Sequence, residues 1–139
     1  MVSELLVVIG SLCLTVALVE AWMLVAVVTA PDGWLAKKIP GTQDLLKSHI
    51  DYLMMSQFLF IFYMLFSHFK IKPAGFIIFC MCVGSFGNAL LFLIRAMNPS
   101  LKEEMTVPFR LSMTLSCSLT TIGYLSGAWL MASAAWMVI

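Results

Sequence analysis

Few side chains in this sequence could do chemistry, and those that could are set in apolar runs. His49 stands in Lys47-Ser48-His49-Ile50-Asp51-Tyr52, and the other histidine, His68, follows 19 residues later. On one helix that separation is about 28 Å, so the two imidazoles of one chain cannot clamp one metal or haem iron. A haem held by one of them would keep its opposite iron position open, as in haem proteins that bind substrates. The plainer reading is a pair of interfacial histidines, placed where polarity is tolerated.

Glu20 is the most deeply placed ionisable group, roughly 13 Å short of the end of its apolar segment near Thr29. A charged carboxylate there costs about 2.5–3.5 kcal/mol on insertion scales, so it must be protonated, hydrated from a cavity, or paired. Arg95 is the expected partner, and a polar cavity walled by Glu20, Asn88 and Arg95 is the sharper expectation. The alternative is a protonated Glu20 bonded to a neighbouring helix. Asn88 lies in Gly84-Ser85-Phe86-Gly87-Asn88, where its amide must find partners and can serve as glue between helices.

The elements that carry these residues follow from composition. Of the 139 residues, 62% are hydrophobic and 11% charged, which excludes both a soluble globular enzyme and a disordered chain. Eight Lys and Arg against seven Asp and Glu give a net charge of +1, with no electrostatic footprint for nucleic acid. Charge-free runs cover Tyr52–Phe69 (18 residues), Pro73–Ile94 (22) and Leu111–Ile139 (29). A helix needs about 20 apolar residues to span a bilayer. The segment from Ser3 to Thr29 also qualifies, with Glu20 as its interruption. It lacks a basic leader and is expected to be kept as the first helix.

The expected architecture is all-α and integral to a membrane: one domain, 1–139, with four transmembrane helices at about 3–29, 47–69, 74–97 and 107–137. A membrane barrel is disfavoured, since these runs do not alternate. Ala30-Pro31-Asp32-Gly33 ends the first helix. A loop then passes through Lys37, Lys38, Pro40 and Gly41, and His49 opens the second helix. Lys70-Ile71-Lys72-Pro73 is a minimal turn, Asn98-Pro99-Ser100 ends the third helix, and Pro108 opens the fourth. One membrane face then collects Lys37, Lys38, Lys47, Arg95, Lys102 and Arg110, and the positive-inside rule places it in the cytoplasm.

Gly123-Tyr124-Leu125-Ser126-Gly127 is a GxxxG that supports close packing or oligomerisation. Cys13, Cys80, Cys82 and Cys117 read as small apolar fillers, without zinc spacing, and Trp34 and Trp136 as interface anchors. The sequence has no phosphate loop, nucleophile–His–acid triad or carboxylate-rich metal site.

Several of these motifs together resemble the small four-helix membrane isomerases typified by styrene oxide isomerase, with hydroxylaminobenzene mutases as more distant kin. The likeness covers most of the chain. It rests on the Pro40-Gly41 turn before His49, on Asn88 in mid-helix with Pro99 closing that helix, and on Tyr124-Leu125-Ser126-Gly127. The resemblance implies a homotrimer in a bacterial inner membrane, binding haem b near subunit boundaries with His49 as axial ligand. Lys47, Arg95 and Arg110 would receive the haem propionates, since Arg and Lys pair well with carboxylates. The implied reaction opens a small hydrophobic epoxide to an aldehyde or ketone by a 1,2-hydride shift, with ferric iron as Lewis acid.

The residues implied to face substrate are Asn88, Tyr124, Met55 and Phe92. The last two depart from the family pattern, which has Asn six residues after the ligand His and Tyr four after the helical Asn. A more apolar pocket suits a different substrate or none. Two other readings stand beside the enzyme: a non-catalytic haem protein (sensor or electron carrier), and a haem-free accessory subunit whose GxxxG face docks a partner.

Overall fold

Prolines set several of the helix ends. The computed structural model describes residues 3–137; residues 1, 2, 138 and 139 and the side chain of Lys102 lie outside the description. Along it run α1 (Glu4–Thr29), α2 (Trp34–Lys38), α3 (Thr42–His68), α4 (Gly75–Met97), α5 (Ser100–Glu103) and α6 (Val107–Trp136). Ala30, Ile39 and Asn98 close α1, α2 and α4 at φ −129°, −127° and −128°. Each precedes a proline, whose ring pushes the residue before it out of the helical region. Pro108 sits in the first turn of α6, where its missing N–H costs no bond.

Two expectations need correction. The second long helix begins at Thr42, not at 47, so His49 lies two turns inside it. The polar residues Thr42, Gln43 and Asp44 ended the apolar pattern but not the helix. The loop ahead of it contains the short α2, and the hinge after α4 contains α5.

α1 packs along α3, α3 along α4, and α4 along α6, leaving α1 and α6 as the outer helices. Leu6, Cys13, Ala17, Tyr52, Leu59, Phe66, Ile78 and Met81 form the centre of the core. α4 is covered on two sides, which is why Cys80 and Cys82, two residues apart and so on different faces of the helix, are both buried. α6 buries a narrow stripe, Phe109, Ser116, Gly123 and Gly127. A Cβ on Gly123 would lie 2.6 Å from the Met81 nitrogen, and one on Gly127 2.6 Å from the Phe62 ring. The two glycines of the GxxxG therefore pack inside the chain.

By length and composition α1, α3 and α4 can cross a membrane. α6 is 30 residues long, but eight Ser and Thr dilute its apolar character.

The turn from α3 to α4 closes with two nested hydrogen bonds, Ile71 N–H to Phe66 O (2.8 Å) and Lys70 N–H to Ser67 O (3.2 Å). This Schellman closure puts Lys70 at φ 54°, where glycine is the usual occupant. Lys70→Gly is expected to stabilise the folded protein by roughly 0.5–1 kcal/mol, since a left-handed non-glycine residue carries about 1–2 kcal/mol of steric cost. Chemical unfolding in detergent reads the change.

Candidate functional site

Asp44, Ser48 and Asp51 are spaced i, i+4 and i+7 on α3, and so share one face of the helix. Each finds a partner on α4. Arg95 Nη2 donates to Asp44 Oδ1 at 2.6 Å, and the Ser48 hydroxyl lies 3.0 Å from the Ala89 carbonyl. Asn88 Nδ2 donates to Asp51 Oδ2 at 2.8 Å. The Gly41 N–H donates to Ala96 O at 3.0 Å, which ties the start of α3 to the end of α4. A Cβ on Gly41 would stand 2.8 Å from the Ala96 Cα, so the two backbones can meet there only through a glycine. The two helices thus run antiparallel with 41 near 96, 44 near 95, 48 near 89 and 51 near 88.

This register overturns the pairing of Glu20 with Arg95. Glu20 is 1% exposed, and its Oε1 lies 2.7 Å from the Ser48 hydroxyl. Arg95 is held by Asp44 instead, in a pair whose side chains are 12% and 6% exposed. Its guanidinium also lies 5.1 Å from the centre of the Phe92 ring. The expected cavity of Glu20, Asn88 and Arg95 is therefore three separate polar contacts along one seam. The partners Asp44, Ser48 and Asp51 went unassigned in the sequence, although their i, i+4, i+7 spacing in an apolar helix was a legible signal.

His49 lies beside this seam and turns the other way. Its Nδ1 is 2.8 Å from the Ala17 carbonyl of α1. A carbonyl only accepts, so Nδ1 carries the hydrogen, and in the neutral imidazole Nε2 keeps its lone pair. Metal-bound histidines are commonly oriented by such a bond from the second ring nitrogen to a backbone carbonyl. His49 thus has the tautomer that a haem ligand needs. Lys47 is largely exposed, 3.9 Å from Asp44, and Arg110 is exposed, so both offer cations at this end of the bundle. Arg95, expected to serve propionates, is already committed to Asp44. Among the described residues, no three His, Cys, Asp or Glu gather into a metal-binding group.

The residues expected to face substrate fall into three places. Asn88 and Phe92 line one gap with Leu91, Arg95, Phe109 and Met113, a cavity of about 10 Å³. That is room for about one water molecule. Tyr124 stands apart, its hydroxyl 2.7 Å from Ser85 Oγ and its ring against Phe58 and Phe62. Met55 is buried within α3, one turn beyond Asp51. The gap opens between α4 and α6, while His49 faces α1, so one chain does not bring the histidine to Asn88. His68 is exposed at the end of α3. All four cysteines are free, and Cys117 is exposed, not a buried filler. It donates to Asn88 Oδ1 at 3.5 Å, extending the polar contacts to α6.

Removing one member of the Asp44–Arg95 pair should destabilise the protein by about 3–5 kcal/mol, because the remaining charge is buried without compensation. Asp44→Ala is expected to lower the unfolding midpoint in detergent, and adding Arg95→Met to that variant is expected to restore most of the loss. Compared with family models, with curated proteins and with solved structures, the chain matches none of them.

Proposed function

We propose that this chain is a four-helix membrane protein that binds haem b through His49 and isomerises a small hydrophobic epoxide to an aldehyde or ketone, as the resemblance to styrene oxide isomerase implies. The observation that carries the reading is the His49 Nδ1 contact to Ala17 O, at 2.8 Å, which leaves Nε2 as the ligating nitrogen. A bound ferric haem supplies a Lewis acid for the epoxide oxygen. The protein's own part is to fix the imidazole, to offer Lys47 and Arg110 to carboxylates, and to line the gap beside Asn88 with the apolar Phe92. Arg95 can join the carboxylate partners only by sharing its guanidinium with Asp44. Asn88 keeps its amide fixed between Asp51 and Cys117, and Tyr124 braces α4 against α6 through Ser85.

Three features support the wider setting. The hydroxyls of Ser112, Thr114, Thr120, Thr121 and Ser133 each donate to a carbonyl four residues back. Satisfied in this way, they let α6 be the fourth span despite its composition. The separation of His49 from Asn88 and Phe92 favours an assembly in which the histidine of one copy meets the wall of the next, a homotrimer in a bacterial inner membrane. By the positive-inside rule, the cations on the His49 end support a cytoplasmic position for that end.

A cavity of about 10 Å³ beside Asn88 and Phe92 favours a second reading, a haem protein without turnover. Absorbance and product analysis separate the two. Protein purified after expression with a haem precursor is expected to show a Soret band, and His49→Ala to lose it while keeping its helical content. A colourless wild-type preparation, or full haem occupancy in His49→Ala, overturns the haem reading. Gas chromatography of aryl epoxides incubated with the haem-loaded protein is expected to show the carbonyl isomer. Unchanged epoxides across a broad panel leave the non-catalytic reading.

A further inference from the structure

The hydrogens around Ser48 do not balance if Glu20 is ionised. Ser48 Oγ lies 2.7 Å from Glu20 Oε1 and 3.0 Å from the Ala89 carbonyl. Serine has one hydrogen to donate, and a carbonyl and a carboxylate only accept. Three oxygens would then share one hydrogen, and one of the two short contacts would join acceptors alone. A hydrogen on Glu20 Oε1 removes the conflict: Glu20 donates to Ser48, and Ser48 donates to Ala89.

Two buried atoms point the same way. Among the described residues, Glu20 Oε2 and the Tyr52 hydroxyl have no hydrogen-bond partner, and Tyr52, one turn beyond Ser48 on α3, is fully buried. A carboxylate with one bare oxygen in such surroundings is far costlier than a neutral acid. No cation compensates it among the described residues, since Arg95 and Lys47 both lie on Asp44. The other titratable groups around the site are engaged or neutral: His49 on Ala17 O, Asp51 on Asn88, the Tyr52 phenol, and the free Cys13 thiol of α1.

We propose that Glu20, Ser48 and the Ala89 carbonyl form a buried proton-binding site, with one proton held on Glu20 Oε1 as a neutral carboxylic acid linking α1 to α3 and α4. The site does not depend on haem. Its occupant is a proton, not a metal cation, because the Ser48–Glu20 separation of 2.7 Å is that of a hydrogen bond between oxygens.

Infrared difference spectroscopy of the full chain in lipid nanodiscs at neutral pH tests this. The wild type is expected to show a carboxylic-acid carbonyl band that Glu20→Gln removes and that Ser48→Ala moves to higher frequency, as the hydrogen bond is lost. The band is expected to be the same in sodium chloride and in choline chloride. Identical wild-type and Glu20→Gln spectra in this region mean an ionised Glu20 and overturn the proposal. A band that sodium titrates away overturns it in favour of a cation site. If Glu20→Gln does not accumulate, Ser48→Ala carries the test, and a missing or unmoved band overturns the assignment.

Discussion

A polar side chain inside an apolar helix has no water to fall back on, so its partner must come from a neighbouring helix or from its own backbone. The α3–α4 seam follows from that constraint. Asp44, Ser48 and Asp51 stand on one face of α3, and Arg95, the Ala89 carbonyl and Asn88 answer them from α4. A shift of either helix by one turn would strand all three at once. The polar contacts thereby fix the register of the pair more tightly than apolar packing could, because Leu and Phe accept many neighbours and a buried carboxylate accepts few.

Small residues let the seam close. Gly41 admits the Ala96 backbone, and Gly84, where a Cβ would stand 2.5 Å from the Thr120 nitrogen, admits α6. α4 is consequently gripped on both flanks, by polar contacts toward α3 and by glycines toward α6. α1 is attached differently, through Glu20 to Ser48 and through Ala17 O to His49. His49 is thus oriented by α1, while the Asn88 gap is shaped by α4 and α6.

That division bears on function. An imidazole with a fixed tautomer suits a one-sided axial ligand, and the cations near it suit carboxylates. The wall around Asn88 is tighter and more apolar than the reaction implied by the resemblance would ask of a single chain. In the proposed reading, binding of haem and turnover of an epoxide are accordingly separable, and the first asks for fewer residues than the second.

Charge-free runs and proline positions in the sequence were enough to place four long helices, their breaks and the need of Glu20 for relief from lipid. Those properties are local: they depend on residue type and on the fixed rise of a helix. The true start of α3 escaped, because Thr42, Gln43 and Asp44 look like loop until Gly41 is seen bonded to Ala96. Which residue relieves Glu20 also escaped. Charge alone favoured Arg95, but the register between α3 and α4 gives that guanidinium to Asp44 and leaves Ser48 to Glu20. Pairing of that kind depends on how helices far apart in sequence slide and rotate against one another, which the sum of all their contacts decides and no single segment encodes.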